Sequence, residues 1–177
     1  MDRVFAPWRM DWITRDDEDF DGCVFCNLPD QDADRENRIV ARSSDAYAVL
    51  NKSPYTPGHL LVLPFSHTGE IENIKLDDFF DVFKLVQLSV RAVKTALAPD
   101  GFNIGMNIGE AGGASITDHV HVHVVPRWNG DTTFMPTTAN SKVVAEALDE
   151  TYSRLREAFT ELNCGTETDP DSAILVS

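Results

Sequence analysis

The stretch "DHVHVHVVPRW", Asp118 to Trp128, places three histidines at alternate positions in a run of valines. Successive side chains of a β-strand point to opposite faces, so His119, His121 and His123 are expected to line one face while the valines line the other. The valines are predicted to enter the core. Neighbouring imidazoles would then lie about 7 Å apart on the opposite face, in a cleft.

The surrounding sequence predicts an α+β domain, in which two main helices pack on one face of an antiparallel five-stranded sheet. Short apolar runs that end at turn residues predict strands, and apolar residues at helical spacing predict helices. The strands are predicted at residues 38–42, 46–51, 59–65, 101–109 and 117–127, and the helices at residues 76–98 and 141–162. The residues of the first helix expected to face the core are Phe79, Val82, Phe83, Val86 and Val90.

The chain of 177 residues is expected to form a single domain, residues 1–163, that includes an N-terminal extension, residues 1–20. The acidic residues 164–177 are expected to form a flexible tail. No stretch approaches the roughly 20 apolar residues that a membrane span needs, and the first residues lack the apolar core of a signal peptide. A cytoplasmic location without a membrane partner is therefore expected.

The formal net charge of −14 argues against a nucleic-acid polymer as the partner, because phosphate backbones are bound by clustered Lys and Arg. Any phosphate would have to be bound locally. Asp outnumbers Glu and Arg outnumbers Lys, a balance that suits a halophilic protein. An ordinary acidic surface explains the same charge, so both interpretations stay open.

Three histidines in strict register indicate chemistry rather than a solvated strand surface. A neutral imidazole, with a pKa of about 6.5, is both a nucleophile and a leaving group, so it can carry a transferred group covalently. A protonated ring can donate hydrogen bonds to phosphate oxygens. The same residues also suit a His-ligated transition-metal enzyme, in which all three rings bind iron or manganese.

The sequence resembles the histidine-triad (HIT) nucleotide hydrolases and transferases. "HVHVHVV" is similar to their signature of three histidines separated by single apolar residues, and "NKSPYTPGHLLVLPFSH" (Asn51 to His67) resembles their ribose-binding loop and following strand. "APWRMDWI" and "VVPRWNGDTTFMP" are similar to the branch that contains diadenosine tetraphosphate phosphorylases and related hydrolases. The resemblance runs from about Cys23 to Pro126 and implies a HIT-like fold.

The resemblance implies cleavage or transfer at the α-phosphate of a nucleotide, such as a dinucleoside polyphosphate or a nucleotide conjugate. His121 would carry the nucleotide covalently, and His123 would hold the phosphate oxygens or assist the leaving group. A homodimer and Mg²⁺ accompanying the substrate are further expectations. A nucleotide-binding sensor of the same fold without catalysis stays an alternative.

The resemblance also implies the nucleotide-binding residues. Asn51 would contact the ribose and Asn107 the reacting phosphate. Many members have a hydroxyl where this chain has Ile116, so either of its neighbours, Ser115 or Thr117, is assigned to the phosphate. His59, at the start of the third strand, is expected to pack beside the triad or to support it, and is grouped with the nucleotide site rather than with a metal.

"CVFC" supplies two thiols, Cys23 and Cys26, which make half of a tetrahedral zinc site. In zinc-containing relatives of the resembled family, a histidine after the third strand and the first histidine of the triad complete the set. These positions match His67 and His119, so a structural Zn²⁺ is expected. Two reduced, buried thiols or a redox pair are the alternatives, and Cys164 is expected to have no role.

Overall fold

A mixed seven-stranded β-sheet forms the centre of the structure, a computed structural model that describes residues 22–131, 148–162, 165–166, 169 and 171–176. The predicted N-terminal extension, the first part of the second predicted helix and Cys164 lie outside these residues. In chain order the elements are α1 (Val24–Asp30), α2 (Asp34–Asn37), β1 (Ile39–Arg42), β2 (Ala46–Leu50), β3 (Leu60–Pro64), α3 (Leu76–Leu97), β4 (Gly101–Met106), β5 (Val122–Arg127), α4 (Leu148–Glu161), β6 (Gly165–Thr166) and β7 (Ile174–Val176).

All five predicted strands form, as β1 to β5, but the prediction of a five-stranded antiparallel sheet is wrong. The strand order in the described residues is β4-β5-β3-β2-β1-β7-β6, and β7 runs parallel to β1, with Ile174 opposite Ala41. The expected flexible tail therefore contributes a strand, whose Ile174 is fully buried. Three apolar residues at the end of an acidic segment are too short a pattern to predict a strand from sequence.

The two long helices, α3 and α4, pack together on one face of the sheet, as predicted. Strands β2 and β3 are buried along their whole length, so their sequences are continuously apolar rather than alternating. In α3 the predicted core face is partly wrong: Val82 and Val86 are buried, whereas the side chain of Phe83 is 40% exposed. No helix in the described residues is long and apolar enough to span a membrane.

The opposite face of the sheet is covered by the short helix α1, so helices do not pack on one face alone. Phe25 of α1 joins a second hydrophobic cluster with Tyr47, Leu61 and Leu63 of the sheet. The Tyr47 hydroxyl donates a hydrogen bond of 2.6 Å to the Phe25 carbonyl oxygen. This second face, with the short helix, is the one that holds the histidines.

A buried ion pair links the two short helices to strand β1 and to the segment before β7. The Asp34 carboxylate accepts hydrogen bonds from the guanidinium of Arg42, at 2.6 Å from Nη2, and from the backbone N–H of Ala173, at 2.8 Å. Arg42 also donates to the Pro29 carbonyl oxygen at the end of α1. One carboxylate thus joins α1, α2, β1 and the C-terminal strand.

Replacing Asp34 by alanine is predicted to lower the free energy of unfolding by about 3 kcal/mol, because the Arg42 charge loses its buried partner. The matched control is Asp149→Ala, which breaks the ion pair between Arg38 and an Asp149 side chain that is 86% exposed. This control should lose less than about 1 kcal/mol. Urea unfolding of both variants is the measurement, and equal losses would contradict the prediction.

Candidate active site

The three triad histidines lie on the sheet face covered by α1, as the alternation predicted. Val122 and Val124 enter the core beneath the long helices. His119 and His121 are buried, and His123 is partly buried. The paired strand begins only at Val122, later than predicted, because the preceding segment is held by the neighbouring loop instead.

The loop after β3 fits closely against the segment that leads into β5. The Val120 backbone N–H donates to the Thr68 carbonyl oxygen at 2.7 Å. A Cβ on Gly69 would lie only 2.2 Å from the Thr117 carbonyl oxygen. A side chain at position 69 would therefore push the loop away from the triad.

Hydrogen bonding to a backbone carbonyl fixes the tautomer of His121. Its Nδ1 lies 2.9 Å from the His119 carbonyl oxygen, which can only accept. Nδ1 therefore carries the proton, and Nε2 carries a lone pair. Burial lowers the pKa of His121, with the His119 carbonyl opposing this shift, so the ring is kept neutral. A neutral ring with an unprotonated Nε2 is the form required of a nucleophile.

A second backbone group fixes the opposite tautomer of His123. The Tyr55 backbone N–H, which can only donate, lies 3.1 Å from Nδ1 of His59, and the Asn51 side-chain amide lies 3.2 Å from the same atom. His59 therefore carries its proton on Nε2 and donates it to Nδ1 of His123, at 3.0 Å. Neutral His123 then has its own proton on Nε2. The two neighbouring triad rings therefore differ: Nε2 bears a proton in His123 and a lone pair in His121.

A pocket opens beside these rings and contains most of the predicted nucleotide-binding residues. Its lining residues are Phe25, Asn51, Ser53, Tyr55, Leu61, Asn107, Ser115, Ile116, His121 and His123. Of the two hydroxyls left open by the sequence, Ser115 lines the pocket, whereas Thr117 is exposed outside the lining. The prediction that Thr117 belongs to the site is therefore not supported by its position.

His59 packs beside the triad, as the sequence predicted, but it does not line the nucleotide pocket with which it was grouped. Its side chain is fully buried behind His123 and is not part of the pocket lining, so it acts on the ring next to the pocket rather than on a ligand. The sequence also missed Phe25 and Tyr55 as lining residues. The signals were present, because Phe25 lies inside the Cys-x-x-Cys motif and Tyr55 lies in the proline-rich loop.

The four predicted metal ligands come together. Ligand atoms of Cys23, Cys26, His67 and His119 all lie within 4.8 Å of one another. The Cys26 Sγ is 3.3 Å from Nδ1 of His67 and 3.6 Å from Nδ1 of His119. These separations and the two-sulfur, two-nitrogen donor set fit the tetrahedral shell of a zinc ion.

The outer contacts of both ligand histidines turn Nδ1 toward the thiols. Nε2 of His119 lies 3.0 Å from the Pro64 carbonyl oxygen, so Nε2 is the donor and Nδ1 keeps its lone pair. Nε2 of His67 faces the Asp118 carboxylate at 4.0 Å. Burial, and after it the neighbouring Cys23, raises the pKa of the Cys26 thiol to about 11. A thiolate at this place therefore needs a cation beside it.

Among the described residues, the group of predicted metal ligands contains only one of the three triad histidines, His119. Nδ1 of His119 points to the thiols, whereas Nδ1 of His121 bonds a carbonyl and Nδ1 of His123 bonds His59. The three rings therefore do not converge on one ion. This geometry disfavours the alternative of a transition-metal enzyme with three triad ligands.

Phe25 connects the thiol cluster to the pocket. Its ring centroid lies 5.7 Å from that of His119 and 5.3 Å from that of His121. Since Phe25 lies between Cys23 and Cys26, the position of its ring depends on the turn that carries both thiols. The cluster thus shapes the wall beside the nucleophile candidate.

Comparisons with known proteins agree with this geometry. The model of the HIT domain matches residues 33–130. The chain belongs to the HIT family. A curated HIT relative, the AP-4-A phosphorylase of Mycobacterium tuberculosis, is 37% identical over 158 residues, which are 85% of this chain and 80% of that protein.

Two further relatives extend the comparison of this HIT protein. The bis(5'-adenosyl)-triphosphatase of Saccharomyces cerevisiae is 30% identical over 92 residues, which are 51% of this chain and 44% of that protein. Among solved structures, a zinc-bound histidine triad family protein from Mycobacterium smegmatis has a TM-score of 0.67 at 30% identity. The match covers 80% of this chain and 96% of that one.

Proposed function

We propose that this HIT protein cleaves or transfers at the α-phosphate of a nucleotide, with dinucleoside polyphosphates as the substrate class. The observation that carries the proposal is the pair of opposite tautomers on rings whose centroids lie 5.0 Å apart. Nε2 of His121 bears a lone pair and Nε2 of His123 bears a proton. The names of the mycobacterial and yeast relatives support the substrate class.

In the first step, the Nε2 lone pair of His121 attacks the α-phosphorus. A nitrogen–phosphorus bond forms while the bond from phosphorus to the leaving oxygen breaks, and the electron pair of that bond stays on the oxygen. His123 donates a hydrogen bond from its Nε2–H to this oxygen or to a non-bridging oxygen. The nucleotide remains on His121.

In the second step, an oxygen of water or of inorganic phosphate attacks the same phosphorus. The bond to His121 breaks, its electron pair returns to Nε2, and the proton of an attacking water is released to the solvent. Hydrolysis and phosphorolysis differ only in this acceptor. Asn51, whose Oδ1 is already held by the Ser53 backbone N–H at 2.9 Å, would contact the ribose. Asn107 and Ser115, which line the pocket, would hold the phosphate.

Product analysis tests the proposal. Diadenosine tetraphosphate should give AMP and ATP in buffer, and ADP and ATP if inorganic phosphate is the acceptor. His121→Ala should lower kcat/KM by about 1,000-fold or more, because the covalent route is lost. Thr117→Ala, which changes an exposed hydroxyl outside the pocket, should keep the wild-type rate.

The same assay can also contradict the proposed reaction. If neither diadenosine tetraphosphate nor an adenosine phosphoramidate is turned over, or if His121→Ala matches the wild type, the proposed reaction is wrong. Binding of AMP without any turnover would instead favour the nucleotide-binding sensor. The expectation that Mg²⁺ accompanies the substrate stays a prediction.

We also propose that the cluster of two cysteines and two histidines holds a structural Zn²⁺. The donor set supports this, as does the zinc-bound relative from M. smegmatis. When bound, the ion would fix the thiolates and the N-terminal turn against the segment that carries the triad. Phe25 would then be held against His121 by its own turn.

Metal analysis tests the zinc proposal. The purified protein should contain one zinc per chain, and Cys26→Ser should lose most of it, because one of four ligands is removed. Thermal denaturation should show a lower Tm for this variant. Cys164→Ser, which removes a thiol with no predicted role, is the control. Zinc retained in full by Cys26→Ser would contradict the assignment.

A homodimer in the cytoplasm is proposed as the working form. Strand β4 lies at the edge of the sheet, and the Ile104 side chain on it is 47% exposed. On α3, the side chains of Leu76 and Phe80 are 72% and 66% exposed. We assign these exposed apolar side chains to the surface that the second chain would cover.

A further inference from the structure

Tyr55 is an aromatic side chain at the pocket that the proposed reaction does not use. Its ring stacks on His59, with centroids 4.8 Å apart and planes inclined by 18°, and lies 6.0 Å from the ring of His123. The side chain lines the pocket, yet 39% of its surface is exposed. A large ring that keeps this much exposed surface inside a binding pocket is suited to contact a ligand.

The pocket has a second apolar wall at the other triad ring. Phe25, Leu61 and Ile116 belong to one hydrophobic cluster, and the Phe25 ring lies 5.3 Å from that of His121. The two aromatic rings therefore lie beside different triad histidines. Phe25 lies beside His121, and Tyr55 lies beside His123. The polar lining residues Asn51, Asn107 and Ser115 complete the lining.

Displacement at phosphorus places the attacking and leaving atoms roughly in line, on opposite sides of the phosphorus. We place the leaving oxygen on the side of His123, because the Nε2–H of that ring can donate a hydrogen bond to it. Tyr55 is the aromatic ring beside His123. The nucleotide that stays on the enzyme would then lie beside Phe25, and the leaving group would lie beside Tyr55.

We propose that Tyr55 is a specificity-determining residue that stacks on the base of the leaving nucleotide. This inference rests on the proposed function and assigns a residue of the pocket to the second base of its substrate class. Bases stack on aromatic side chains without regard to their hydrogen-bonding pattern, so the leaving base would be selected by its flat surface rather than by its identity.

The backbone around Tyr55 reduces the conformational entropy that such a contact would cost on binding. Pro54 and Pro57 flank the segment, and the Tyr55 N–H is bound to His59. The ring is further held by its stacking on His59. A platform that is already ordered loses little conformational freedom when a ligand binds.

Two substrates that differ only in the second nucleoside test the proposal. Diadenosine tetraphosphate and adenosine 5'-tetraphosphate share the phosphate chain, but only the first has a leaving base. The wild type should show the higher kcat/KM for the first. Tyr55→Leu should lower the ratio of the two kcat/KM values about tenfold, mainly through KM, because base stacking is lost. Tyr55→Phe, which keeps the ring, should keep the ratio.

The outcomes are distinguishable from failure of the proposed function. An equal loss on both substrates in Tyr55→Leu would mean that the ring only supports His59, and it would overturn the proposal. A ratio unchanged in Tyr55→Leu, or lowered as much in Tyr55→Phe, would overturn it as well. Absence of turnover of both substrates by the wild type would instead reject the proposed reaction itself.

Discussion

The site depends on two hydrogen bonds between a histidine ring and a backbone group: His121 donates to a carbonyl oxygen, and His59 accepts from an N–H. The His119 carbonyl oxygen only accepts, so it places the proton of His121 on Nδ1. The Tyr55 N–H only donates, so, through His59, it places the proton of His123 on Nε2. Identical side chains two residues apart on one extended segment thereby acquire opposite tautomers, which suit one ring to the proposed role of nucleophile and the other to that of hydrogen-bond donor. Strand alternation places them, and the backbone assigns their roles.

A third backbone contact orients the first triad ring toward the group of two cysteines and two histidines. The Pro64 carbonyl oxygen leaves Nδ1 of His119 with the lone pair that a metal ligand needs. The turn that supplies Cys23 and Cys26 also places Phe25 against His121. Burial is the main cause of the lowered pKa of His121, so the turn helps to keep that ring neutral. The turn from Cys23 to Cys26 therefore supplies two of the predicted metal ligands and also the aromatic ring that helps to bury His121.

Much of this was predictable because it depends on local pattern. The histidine face follows from a period of two, and α3 ends within one residue of its predicted boundary. The ligand cluster and Ser115 came from the family resemblance rather than from spacing alone. The position of His59 beside the triad was predicted, but its effect on the tautomer of His123 was not, because the hydrogen bond between the two rings joins residues 64 positions apart. Strand β7 was missed because three apolar residues carry too little pattern, and only its partner β1 makes it a strand.

The most direct measurement is ¹⁵N NMR of the histidine side chains, with each ring assigned by single His→Gln variants. Long-range couplings between ring nitrogens and carbon-bound protons report which nitrogen bears the proton. At a pH where both rings are neutral, His121 should be protonated on Nδ1 and His123 on Nε2. The same tautomer on both rings, or a proton on Nε2 of His121, would contradict the account.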